Sequence, residues 1–294
     1  RQQVHAAPAA TRATGERALV YVHGICRHDP GYSDDWWAAM KPHLPQVLQD
    51  ELEQNRHEVL WSDLVSPTRA AARSDRSRRQ STEQDRLAEN LRLILQDRAE
   101  REAASAEATQ ARGPVAVDRA ALGIPGLNCI DDFTKYLLDA QIRRDVLDRF
   151  RRVVGPLLRA AFTIDLISHS WGTVVAYEGL WSLAGGAFTG RVANFFTVGS
   201  ALSIGPVKSQ LEPGHGSRPP LVDRWINLDA EGDVVGGRLR GRPFEVDLER
   251  LDLEPVGCDS FLGLVSPACA HSSYFNRDNM EVNQNIFAGN IANV

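Results

Sequence analysis

An apolar, strand-like run, Thr163-Ile164-Asp165-Leu166-Ile167, breaks at Ser168-His169-Ser170-Trp171-Gly172 and resumes as the helix-like Thr173-Val174-Val175-Ala176. A strand that turns this sharply into a helix around a serine leaves few architectures open. Residues two before and two after the serine crowd each other in such a turn, so both positions favour glycine. The second is Gly172, and the first is the slightly larger Ser168. A serine hydroxyl is a weak nucleophile unless it is exposed, sits beside a base and faces backbone N–H groups that receive the developing oxyanion. A turn of this kind supplies those conditions to Ser170.

A second strand-like run, Ala18-Leu19-Val20-Tyr21-Val22, leads directly into His23-Gly24-Ile25. With the serine turn and the His-Gly corner, the chain resembles the α/β-hydrolase family. Within that family it is more similar to bacterial lipases and esterases with a His-Gly-x corner than to the His-Gly-Gly-Gly type. The resemblance implies a mostly parallel central sheet flanked by helices, and a triad that runs serine, acid, histidine along the chain. It also implies oxyanion donors from the backbone N–H groups of Ile25 and Trp171. His23, Gly24 and Trp36 then become candidates for substrate contact.

Only His215 and His271 lie downstream of the serine. His271, in Ala270-His271-Ser272-Ser273-Tyr274-Phe275, precedes the last helix-like segment, where the family carries its base. His215 sits in a glycine-flanked loop and is the alternative. The acid is expected just past the strand Arg224-Trp225-Ile226-Asn227-Leu228. Asp233, followed by Val234 and Val235, is the first candidate there, and Asp229 at the strand end is the alternate. Each residue also has an ordinary structural reading: a loop histidine, a turn aspartate, a helix-capping serine. It is their order and placement together that favour chemistry.

The expected activity is hydrolysis of carboxylic esters, small or lipid-like, through an acyl-enzyme on Ser170, with no cofactor or metal. A thioesterase or amidase would use the same residues, and a non-catalytic binding protein would share the fold. The chain has 294 residues, 43% of them hydrophobic, and a formal net charge of −5. It can therefore bury a substantial core, and it lacks the basic footprint of a nucleic-acid binder. The arginine-rich run from Arg69 to Arg79 also carries Asp75 and has acidic neighbours. No stretch approaches the ~20 apolar residues of a membrane span. Oligomeric state is open.

Residues 1–15 read as a disordered leader and 16–294 as one domain with an insertion at about 66–126. Helices are expected over Trp36 to Asn55 and Asp132 to Arg159, strands over Glu58 to Leu64 and Val192 to Ser200, and an edge hairpin over Phe244 to Leu253. In the insertion, Glu83 to Glu107 reads as an amphipathic helix with Leu87, Leu91, Ile94 and Leu95 on one face. It either caps the active-site mouth or packs on the domain's side. Ala121 to Leu127 reads as an apolar loop. The four cysteines lack zinc or redox spacing. Cys258 and Cys269 either bridge around the loop that carries His271, pointing to an oxidising compartment, or stay free. Cys26 has no base placed beside it. The cytoplasm is expected unless an upstream signal has been removed from a chain that begins at arginine.

Overall fold

In the computed structural model, the described residues are 15–65, 78–109, 123–124, 126–212, 216–241, 243–261 and 264–294. Residues 1–14 of the expected leader, His215 and residues 121, 122 and 125 of the Ala121 to Leu127 loop lie outside them, as do parts of the insertion. The fold is α/β. Six strands form one all-parallel sheet: β1 (Arg17–Val22), β2 (Arg56–Val59), β3 (Thr163–His169), β4 (Arg191–Val198), β5 (Val222–Ala230) and β6 (Leu248–Leu253). Their spatial order is β2-β1-β3-β4-β5-β6. The order reverses between β1 and β3, and the crevice at the carboxyl ends of strands at such a switch point is where parallel sheets hold ligands. The His23-Gly24 corner and Ser170 both lie at that point.

Side chains alternate between the faces of a strand, and here both faces are covered. Ala18, Val20 and Val22 of β1 join one core, packed beneath α4 (Arg78–Thr109), α5 (Ile130–Leu138), α6 (Ala140–Arg159) and α7 (Gly172–Ser182). Leu19 and Tyr21 join the other, against α1 (Asp34–Met40), α2 (Gln46–Gln54) and the π-helical stretch Glu281–Ala288. This double burial accounts for the near-continuous apolar runs of β1 and β3.

Several expected elements differ from the folded ones. The single helix over Trp36 to Asn55 is split, because Pro45 pushes Leu44 into an extended conformation (ψ 151°) between α1 and α2. The helix over Asp132 to Arg159 is likewise two. Asp139 is extended, and its carboxylate accepts the Gln141 N–H at 2.8 Å and the Ile142 N–H at 3.1 Å, so it ends α5 and caps α6. The strand expected over Glu58 to Leu64 is β2 alone, followed by the short helix α3 (Ser62–Val65). The Phe244 to Leu253 hairpin is instead one edge strand, β6, running parallel to β5.

Helix α4 buries Ala88, Leu91, Leu95, Ala99 and Ala103 along one stripe, while Leu87 and Ile94 sit at its margin. It packs on α5, helped by an Arg92–Asp131 ion pair at 2.7 Å. Behind it, Arg143 of α6 and Tyr136 of α5 converge on the buried carboxylate of Glu178 in α7. Both cysteine pairs are bonded, Cys26 to Cys129 and Cys258 to Cys269. The first bond replaces the free Cys26 thiol read from the sequence. No helix among the described residues is long and apolar enough to cross a membrane.

Candidate active site

Ser170 follows β3 and precedes α7 with φ at +57°, a left-handed backbone that L-residues adopt at a cost of roughly 1–2 kcal/mol. The surroundings hold it there. Its N–H donates to the Val198 carbonyl of β4 at 2.9 Å, and its carbonyl accepts the N–H of Thr173 at 3.1 Å. Gly172 has no room for a side chain, since a Cβ would lie 2.0 Å from the His23 carbonyl oxygen. At the opposite flank, Ser168 is tolerated where glycine is usual because its buried hydroxyl donates to the Phe196 carbonyl at 2.8 Å. The extra oxygen thereby becomes a tie between β3 and β4.

His271 lies near the end of a short helix, α9 (Pro267–Ser272), just beyond the described ends of a two-stranded antiparallel hairpin, β7 (Ser260–Phe261) and β8 (Leu264–Val265). Its Nε2 is 2.7 Å from Ser170 Oγ, and its Nδ1 is 2.8 and 2.9 Å from the two oxygens of Asp233. Since a carboxylate only accepts, Nδ1 carries the proton and Nε2 offers its lone pair to the serine hydroxyl. Asp233 Oδ1 also accepts the N–H groups of Val235 at 2.9 Å and Gly236 at 3.2 Å. The Tyr274 hydroxyl donates to Oδ2 at 2.6 Å and accepts the Ala230 N–H at 2.8 Å. Burial alone would push the Asp233 carboxyl up, but His271, Tyr274 and Gly236 hold it down to about 2, so it stays ionised.

The alternate acid behaves in the opposite way. His271 meets Asp233 and not Asp229, which lies within the final residues of β5. Burial, reinforced by the negative charges of Asp233 and Asp252, pushes the Asp229 carboxyl up to about 8. Its Oδ1 is buried without a hydrogen-bond partner among the described residues.

The His-Gly corner abuts the serine. A Cβ on Gly24 would stand 2.8 Å from Ser170 Cβ and 3.2 Å from its Oγ, so only glycine lets the corner approach this closely. Among the described residues, neither the N–H of Ile25 nor that of Trp171 donates to another backbone carbonyl. His23, expected from the sequence to touch substrate, is fully buried. Its Nδ1 donates to the Gly24 carbonyl at 2.7 Å, its Nε2 accepts the Trp61 N–H at 3.1 Å, and its ring stacks on that indole. Burial pushes its pKa down, so both nitrogens serve the corner in the neutral form. Trp36 is half-buried, flat against Phe275 and edge-on to His169, whose ring stands between it and His271.

Three contributors were not picked out from the sequence. His169 Nε2 donates to the His271 carbonyl at 2.8 Å, and burial, with His271 next, pushes its pKa down to about 3. Tyr274 holds the Asp233 carboxylate through its hydroxyl. Gly199 has φ at +53°, and a Cβ there would fall 2.6 Å from Asp233 Oδ2 and 3.0 Å from His271 Nδ1. Of these, Gly199 had the most visible signal, a glycine closing the Thr-Val-Gly-Ser strand end beside the serine turn. The chain matches no protein-family model and no curated protein. Among the described residues no group of three or more His, Cys, Asp and Glu side chains is arranged to hold a metal ion. The arrangement can take a proton from Ser170 onto His271 while Asp233 compensates the imidazolium charge.

Proposed function

We propose that the chain is a serine hydrolase of the α/β-hydrolase type that cleaves carboxylic esters. The observation that carries this reading is the relay at the switch point, Ser170 Oγ to His271 Nε2 at 2.7 Å and His271 Nδ1 to Asp233 at 2.8 Å. Ser170 Oγ attacks the ester carbonyl carbon as its proton passes to His271 Nε2. The carbonyl π pair moves onto oxygen, where the N–H groups of Ile25 and Trp171 receive the charge. Loss of one such donor costs about 10²–10³ in rate in enzymes of this kind. When the tetrahedral intermediate collapses, the C–O bond to the alcohol breaks and His271 returns the proton to the leaving oxygen. Water, deprotonated by the same imidazole, then releases the carboxylic acid and restores Ser170.

The two disulfides, with no free cysteine among the four, favour an oxidising compartment over the cytoplasm. The test is reaction with a fluorophosphonate, followed by mass-spectrometric mapping of the adduct. An adduct on Ser170 that is lost in Ser170→Ala and His271→Ala supports the reading. A folded chain that does not react removes it in favour of a non-catalytic binding protein. A panel of esters, thioesters and amides of matched acyl groups then separates an esterase from a thioesterase or amidase with the same triad.

A further inference from the structure

Helix α4 sends one side chain into the acid's loop. Arg98 Nη1 donates to the carbonyls of Val234 at 3.1 Å, Val235 at 3.4 Å and Gly236 at 2.9 Å, and to Ser203 Oγ at 3.2 Å. Its Nη2 reaches the Ser203 carbonyl at 3.4 Å. The carbonyl of Val234 and the N–H of Val235 belong to one planar peptide unit, and the carbonyl of Val235 and the N–H of Gly236 to the next. Those two N–H groups are the ones that hold Asp233 Oδ1. Two peptide planes are thus gripped at their oxygens by a guanidinium and at their nitrogens by a carboxylate. Their dipoles are aligned between opposite charges, an arrangement in which each hydrogen bond strengthens the other.

The geometry points to Arg98 as the positioning residue for the acid, with α4 a brace across the acid's loop instead of a lid that swings clear of it. This rests on Asp233 being the acid of the proposed triad. A side chain from α4 that merely covered apolar surface would have no reason to place its charged end on three consecutive carbonyls. Ser203 repeats the same choice, its hydroxyl contacting the carbonyls of Val235 at 3.1 Å and Gly236 at 2.9 Å. Lifting α4 at Arg98 would strip these carbonyls of their cation and loosen both peptides, leaving the Val235 oxygen to the Ser203 hydroxyl alone. The carboxylate would lose its backbone donors with them. Substrate therefore reaches Ser170 while α4 stays docked.

The experiment compares the wild-type chain with Arg98→Met, which keeps the aliphatic stem, and Arg98→Lys, which keeps the charge. It reads the hydrogen exchange of the Val235 and Gly236 amides, the downfield proton resonance of His271 Nδ1–H, and ester kinetics. Arg98→Met is expected to speed exchange at both amides and broaden the resonance. Its kcat should fall about 10- to 100-fold with little change in KM, as misplacing a group outside the reacting atoms does. Arg98→Lys should recover part of each loss, and it carries the comparison with wild type if Arg98→Met does not fold. Wild-type exchange and an undisturbed resonance in the variants would overturn the inference. Failure of the wild-type chain to react with a fluorophosphonate counts against the hydrolase reading alone, since exchange and resonance report on Arg98 regardless of turnover.

Discussion

Gly199 has no side chain because Asp233 and His271 occupy the space one would need. Gly199→Ala would have to displace Asp233 or His271 and also adopt φ at +53° with a Cβ. It should therefore reduce kcat by about 10²-fold or more while the chain still folds, which steady-state ester kinetics beside a melting curve would check. Asp229 makes a different demand. Its carboxyl keeps a proton in the folded chain up to about 8, against an ordinary value of 3.8. Between those pH values the folded state binds a proton that the unfolded state has released, so stability falls as pH rises. Asp229→Asn removes that loss, and its stability relative to wild type should grow from pH 4 to pH 8, by at most about 1.4 kcal/mol per pH unit. Paired denaturant titrations at the two pH values measure it, and a constant difference would refute the assignment. Ser170 and Asp233 were legible in the sequence because each follows a strand, and His271 because only two histidines lie downstream of the serine. Tyr274 and His169 were not, because His169 closes β3 and Tyr274 follows α9, and each meets its partner, His271 or Asp233, only in the folded sheet.

At the scale of elements, the run of Arg143, Tyr136 and Glu178 joins three helices through one buried carboxylate. The pair between Arg143 and Glu178 lies with side chains 7% and 0% exposed. Without Glu178, buried Arg143 keeps only the exposed Glu212 carboxylate, at 3.4 Å, as a charge partner, so Glu178→Ala should lower the unfolding free energy by about 3 kcal/mol. Denaturant unfolding tests this, and a loss comparable with that of an exposed ion pair would show the network to be dispensable. The same helices explain where element boundaries escaped the sequence. Apolar residues recur with helical period on both sides of Asp139, so nothing in the pattern marks the break that its extended backbone and capping carboxylate impose. The α1 to α2 break had a local signal in Pro45. The parallel pairing of β6 had none, because alternation along an edge strand does not report its partner or direction. The buried stripe of α4 was only half visible, since its alanines carry little hydrophobic weight, yet Ala88 and Ala99 are as buried as Leu91 and Leu95.

Across the whole molecule, the covalent links differ in reach. Cys26 and Cys129 are 103 residues apart, whereas Cys258 and Cys269 are 11 apart. If chain entropy governs, the long link is worth roughly 5 kcal/mol and the short one roughly 3. The double variant Cys26→Ser, Cys129→Ser should thus shift the denaturation midpoint further than Cys258→Ser, Cys269→Ser. The reverse order would show that the short link, close to His271, has a larger enthalpic share.

The long link has one more consequence. Cys26 directly follows Ile25, and Cys129 opens the helix whose Phe133 packs on Trp171, 4.4 Å between ring centres. Everything between them, α4 included, is therefore a closed ring rooted at the serine. A protease that cut the chain once anywhere inside that ring would not divide the molecule. The nicked protein should run as one species without reductant and as two with it, with Ser170 and its partners still on a single covalent body.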